Sequence, residues 1–177
     1  MRTSSRGHTL LELMTALSIA ALCAALATPS FGALAADLRL SRASNALLGA
    51  LQYARLQAVS RGVTVVLCQS ADGSRCLTQA GIAHGWLVFV DSQAGSPIQR
   101  DAADELLAQQ VLPDAVQLSG SRLALSYWPA ARAGTTATLT LCAVPARAAP
   151  RAVIVSQSGR PRTSRSGASG EALSCAS

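Results

Sequence analysis

Two arginines flank a single proline in the stretch SGRPRTSR, residues 158–165, and the chemistry that this arrangement suits is phosphate binding. Gly159 permits a tight turn, Pro161 fixes its own φ, and the residue before a proline is driven toward extended conformations. Arg160 and Arg162 are therefore expected to project to a similar side, roughly 6 to 7 Å apart by strand geometry, comparable to two steps along one DNA strand. Guanidinium groups meet phosphate oxygens in a forked geometry that lysine reproduces poorly. Arg165 and Arg151 are near enough in the chain to join them.

The surrounding charge points the same way. All fifteen basic residues are arginine, so their number says little and their placement says more. Between Asp114 and Glu171 no acid occurs, while Arg122, Arg132, Arg147, Arg151, Arg160, Arg162 and Arg165 give that section +7 in a chain whose net charge is +6. Such polarity favours a polyanion as partner. Aromatic side chains do not accompany the arginines: Trp86, Phe89, Tyr127 and Trp128 fall in predicted strands, where packing in the core is their expected role. Contact with the backbone of double-stranded DNA, tolerant of sequence, is thus expected, and a preference for single strands is not. A solvated basic tail without a ligand, or a contact to another protein, is the competing reading.

No catalytic constellation is visible. Apart from His8, His84 is the only histidine, and neither a nucleophile, a metal-ligating cluster nor a phosphate loop accompanies it. The expectation is a protein that is not an enzyme and uses no cofactor and no metal.

Glu12 raises a separate question, because it is a carboxylate at the start of an apolar run. Arg2 and Arg6 precede that run and no acid does, which keeps the N-terminus cytoplasmic and sends the remainder across the membrane. From Leu13 to Ala36 the polar interruptions are only Thr15, Ser18, Thr28 and Ser30. At helical rise this run covers roughly 36 Å, enough to span. A carboxylate there costs about 2.5 to 3.5 kcal/mol on insertion scales. An ordinary secretory signal cut at ALA, residues 33–35, has no need of it. Cleavage after Gly7 instead makes His8 the new terminus, with its α-ammonium one turn from Glu12, or beside Glu12 of a neighbouring copy.

Export also bears on the cysteines. Cys23 lies in the apolar run as a small filler, leaving Cys68, Cys76, Cys142 and Cys175 in an oxidising compartment. Cys68 and Cys76 flank the turn-rich QSADGSR, and bridging them contributes roughly 2.5 kcal/mol on the loop-closure model. Cys142 and Cys175 would then pin the tail to the last strand but one. A four-cysteine zinc site lacks the CxxC pairs it needs, and two free thiols are the third possibility.

The stretch Gly7-His8-Thr9-Leu10-Leu11-Glu12-Leu13 resembles the processing site of type IV pilins and type II secretion pseudopilins, with His8 where that superfamily usually has phenylalanine. The resemblance implies cleavage after Gly7 by a prepilin peptidase, N-methylation of His8, and docking of an incoming subunit through Glu12 into a filament of other pilins. Gly159-Arg160-Pro161-Arg162 resembles the Gly-Arg-x-Arg signature near the C-terminus of FimT-type minor pilins, which are implicated in capturing DNA for natural transformation. A single-pass inner-membrane protein with a periplasmic head, assembling into a pilus or pseudopilus, is what these likenesses imply. Its alternative role is structural: a GspH-type pseudopilin of type II secretion, or a minor pilin that primes pilus assembly.

The elements that must position these residues are one long helix and a set of strands. Pro29 is expected to bend the helix. Beyond it Leu40, Ala43, Leu47, Leu51, Ala54 and Ala58 form a one-sided stripe, with Arg39, Arg42, Ser44, Asn45, Gln52 and Arg55 largely elsewhere, and Gly62 ends the helix. Short strands are expected at 63–68, 85–91, 106–112, 116–119, 122–128, 136–142 and 151–157. The expected fold is α+β, a helix packed on an antiparallel head of about seven strands, as in pilins. The segments are a leader over 1–7, a membrane and filament-core helix over 8–36, its amphipathic continuation over 37–61, a β-rich head over 62–157, and an arginine-rich end over 158–177. That end is Ser/Gly-rich and mobile unless tied down.

Overall fold

The computed structural model describes residues 9–93, 98–129 and 135–175, with the side chains of 25–30 outside that description. Its backbone is organised by one helix, α1, running from Leu10–Arg61. Thr9 caps the start, its hydroxyl accepting from the Glu12 N–H at 3.3 Å. Gly62 closes the end with φ at 69°, a left-handed conformation that lets its N–H reach the Ala58 carbonyl at 3.1 Å. The helix is uninterrupted through position 29, and the bend expected of Pro29 falls among the residues whose side chains are not described. The same gap interrupts the run 13–36 expected to span a bilayer. Among the described residues no helix is long and apolar enough to cross a membrane.

The second half of α1 is the seam of the fold. Leu40, Ala43, Leu47, Leu51, Ala54 and Ala58 are all buried. Each leucine so placed contributes about 1.5 to 3 kcal/mol relative to an exposed one. Ser44, expected on the polar side, is buried too, because it stands one turn from both Leu40 and Leu47 and is small enough to fit.

Two four-stranded antiparallel sheets pack on this seam. The strands are β1 (Val65–Ser70), β2 (Gly85–Val90), β3 (Leu106–Val111), β4 (Val116–Gly120), β5 (Ala124–Tyr127), β6 (Ala137–Ala143), β7 (Arg151–Val155) and β8 (Pro161–Ser164). One sheet has the order β3-β2-β1-β5 and the other β4-β6-β7-β8. A bridge between Ala83 and Leu118 stitches them, through hydrogen bonds of 2.8 and 3.0 Å.

Strand β1 is buried along its whole length because both of its faces are covered. Val65 and Leu67 join the core against α1, whereas Val66 and Cys68 join a second cluster with Cys76, Leu87 and Phe89. The second cluster lies beneath the loop closed by the Cys68–Cys76 disulfide. That loop is braced by Asp72, whose carboxylate accepts from the N–H groups of Ser74 and Arg75 at 2.8 and 3.0 Å. Those bonds, the Ser74 N–H foremost, hold its carboxyl well below the usual range.

Two expectations need correction. Trp128 is 44% exposed, because β5 ends at Tyr127 and carries Trp128 out of the sheet, whereas Trp86, Phe89 and Tyr127 are buried. The strands number eight rather than seven, because 161–164 pairs with β7; beyond it the Gly167 N–H bonds the Glu171 carbonyl at 2.8 Å, and the expected disulfide from Cys175 to Cys142 on β6 ties the segment down.

Candidate nucleic-acid interface

The arginine motif occupies a β-hairpin. Gly159 takes φ at 72° in the turn between β7 and β8, a conformation that favours glycine, and its N–H bonds the Ser156 carbonyl at 2.8 Å. The Ser156 N–H reaches the Arg160 carbonyl at 3.1 Å and closes the turn. Pro161 then opens β8, an edge strand, where its missing N–H leaves no ladder bond unmade. The register pairs Val155 with Pro161, Ile154 with Arg162, Val153 with Thr163 and Ala152 with Ser164.

This register sorts the side chains. Val153 and Val155 belong to the core against α1, so Pro161 and Thr163 share the helix-facing side and Arg162 shares the opposite side with Ile154. Arg160, at the turn, borders a groove of about 540 Å³ between the hairpin and α1, lined also by Gln52, Arg55, Leu56, Val59 and Pro161. Arg160, Arg162 and Arg165 are exposed, and among the described residues no hydrogen bond or ion pair engages their guanidinium groups. Arg160 and Arg162, expected on a similar side, thus face different ways, and each of the three is open to a phosphate of its own.

Arg151 is different. Its Nη2 donates to both carboxylate oxygens of Asp37 on α1, at 2.9 and 3.0 Å, and its side chain is only 20% exposed. Its Nε is buried with no partner. The candidate list derived from sequence therefore loses Arg151, because the strand that carries it docks against the acid of a distant helix position. Arg147 also lies against α1, beside Gly32. Asp37 and Arg55 are 18 positions apart on one helix, roughly 27 Å. The acid-free section of sequence is thus divided in space, with Arg147 and Arg151 toward the stalk and the hairpin arginines near the far end of α1. Arg132 lies outside the described residues.

Arg55 was not legible as part of the site. It belongs to a surface stripe of Gln52, Arg55, Leu56 and Val59 at helical spacing, and only docking of the hairpin brings that stripe beside Arg160. Its charge is also felt by Tyr127, whose phenol is pushed up to about 12 by burial, with Arg55 opposing part of that rise.

At the other end, Glu12 occupies the first turn of α1, where the helix dipole favours a negative charge. The Thr9 cap, three residues before it, was a recognisable signal of a helix start. Gly7 and His8 lie outside the described residues. Leu10, Leu11, Leu13, Met14, Leu17, Ile19 and Leu22 are all exposed along this part of the helix. Among the described residues no group of three or more His, Cys, Asp or Glu side chains converges as a metal site would.

Residues 43–159, more than half of the chain, match the family model for type II transport protein GspH. Residues 2–28 match that of the prokaryotic N-terminal methylation motif. The first of these matches ends at Gly159, directly before Arg160. Two crystal structures of the type IV minor pilin FimU from Pseudomonas aeruginosa share the fold. Their sequence identity to this chain is 20%, with TM-scores of 0.50 and 0.52. The alignments cover 70% and 72% of this chain and 91% and 90% of FimU. No curated protein matches the sequence.

Proposed function

Because the chain belongs to the GspH family of minor pilins and pseudopilins, we propose that it is a filament subunit whose β7–β8 hairpin holds double-stranded DNA by the phosphate backbone. The observation that carries this reading is the hairpin itself: a turn with a left-handed glycine and a proline-led edge strand present Arg160, Arg162 and Arg165 exposed and without internal partners. Fixing the backbone before binding lowers the ordering cost that a loose tail meets on contact. The role that follows is DNA capture for uptake in natural transformation.

In the same proposal a prepilin peptidase cuts after Gly7, His8 becomes the methylated terminus, and Glu12 pairs with the terminal ammonium in docking against other pilins. The exposed leucines from Leu10 to Leu22 support placement first in the inner membrane and then in a filament core, since none of the described residues covers them. N-terminal sequencing of the mature protein checks the cut: His8 as the first residue agrees with it, and a terminus after Ala35 refutes it.

The DNA reading is tested by fluorescence anisotropy with duplexes of unrelated sequence, at several salt concentrations. Each phosphate contact adds about −0.9 to the slope of log K against log salt. The double variant Arg160→Ala, Arg162→Ala is expected to lower affinity on every duplex and to flatten that slope by about 1.8. A structural role alone is favoured by the family match, which is to a secretion-system protein and stops short of Arg160. Intact DNA binding in this variant, together with lost filament assembly, decides for that role.

A further inference from the structure

Resting on that reading, we infer that the groove between α1 and the hairpin is part of the DNA site, with Arg55 as its second jaw. The groove's described lining carries two cations, Arg55 and Arg160, and no acid. Among the described residues, neither guanidinium has a hydrogen-bond or ion-pair partner in the protein. Four carboxylates are engaged away from the groove, Asp37 with Arg151, Glu105 with Arg61, and Asp72 and Asp104 with loop N–H groups, and none of them lines it. Charge complementarity therefore selects a polyanion as occupant.

The shape selects its backbone in particular. Between the two arginines the floor is Leu56, 62% exposed, with Val59 and Pro161. A phosphodiester chain alternates anionic phosphates with largely apolar deoxyribose carbons. Arginines at the two sides of a hydrocarbon floor match that alternation, where a fully polar groove would not. A rigid helix on one side and a hydrogen-bonded hairpin on the other also hold the groove's walls in place without the ligand. The arginine that alternation sends to the far side of the sheet, Arg162, meets the next stretch of backbone as the duplex passes over the edge strand β8.

The test uses the full-length protein in mild detergent and a duplex of mixed sequence. Arg55→Ala is expected to flatten the salt slope by about 0.9, shrinking the affinity lost between 50 and 200 mM salt by about 3.5-fold. Leu56→Asp keeps every arginine but puts a carboxylate on the exposed floor, and it is expected to weaken binding at least as much as Arg55→Ala. Arg75→Ala, on the distant disulfide loop, is expected to leave the slope unchanged. If Arg55→Ala and Leu56→Asp bind like the parent while Arg160→Ala, Arg162→Ala is weakened, the groove is excluded and the hairpin reading survives. If none of the four variants alters binding, the hairpin reading falls with it. If Leu56→Asp leaves DNA binding intact and blocks filament assembly, the groove seats a neighbouring subunit and the inference is overturned.

Discussion

Removing the Cys142–Cys175 disulfide asks how much of the C-terminal segment is held by covalent constraint and how much by strand pairing. That bond spans a sequence separation of 33, against 8 for Cys68–Cys76. On the chain-entropy model the longer loop contributes about 3.7 kcal/mol and the shorter about 2.5 kcal/mol. The pair Cys142→Ala, Cys175→Ala is therefore expected to destabilise by about 1.2 kcal/mol more than Cys68→Ala, Cys76→Ala. Alanine is chosen over serine because Cys68 and Cys76 sit in the buried cluster with Leu87 and Phe89, where an unpaired hydroxyl adds its own penalty. Urea unfolding followed by tryptophan fluorescence reads the difference, since Trp86 is 2% exposed in β2 and gains solvent on unfolding. DNA affinity is expected to stay unchanged in the first variant, because β8 is registered against β7 through four residue pairs that do not involve Cys175. Equal or reversed stabilities refute the loop argument. Loss of DNA binding in that variant refutes the claim that the hairpin alone orders the arginines.

Leu51→Ala, at the middle of the buried helix stripe, is expected to cost about 2.7 to 5 kcal/mol by the same unfolding assay, and a loss under about 1 kcal/mol means that the two sheets collapse onto α1 without it. Asp104 is buried, and its carboxylate accepts from Ser92 N–H and Oγ at 3.0 and 2.7 Å and from Asp101 N–H at 2.9 Å. Burial is the largest single influence and pushes its carboxyl up, but those bonds and the Arg100 charge outweigh it, so the net shift is downward. A lowered folded value means that the stabilisation is complete above the ordinary carboxylate range and is lost as pH falls through the folded value. Asp104→Asn is thus expected to cost about 1 to 3 kcal/mol at pH 7, with the gap to the parent closing below about pH 4; a gap that does not change with pH refutes the assignment.

The elements of the fold were readable because their signals are local. The leucine and alanine stripe from Leu40 to Ala58 has the period of a helix with one buried side, and Gly62 marks its end. Strand alternation and turn residues marked seven of the eight strands. The eighth was missed because PRTS is polar and opens with proline, features that read as a loop unless the pairing partner is known; its pairing with β7 is a tertiary fact. The candidate site was legible to a smaller degree for the same reason. Gly159, Pro161 and the two arginines could be recognised as a constrained turn, but strand alternation puts Arg162 on the side of the sheet turned from α1, while the turn leaves Arg160 bordering the groove. Arg151 looked equivalent to them along the chain and is not, because Asp37, 114 positions away, captures it. Arg55 carried no mark at all in the sequence, since its neighbour in space is a hairpin about a hundred residues later.

The ion pair between Arg151 and Asp37 also sets a route for force. Arg151 begins the five-residue strand that leads into the hairpin, so its guanidinium ties the root of that strand to the stalk. Tension applied at the hairpin tip passes down β7 and divides between its five-pair ladder with β6 and that tether to the helical shaft. Severing the tether at Asp37 would leave the whole of that load to the hydrogen bonds between β6 and β7.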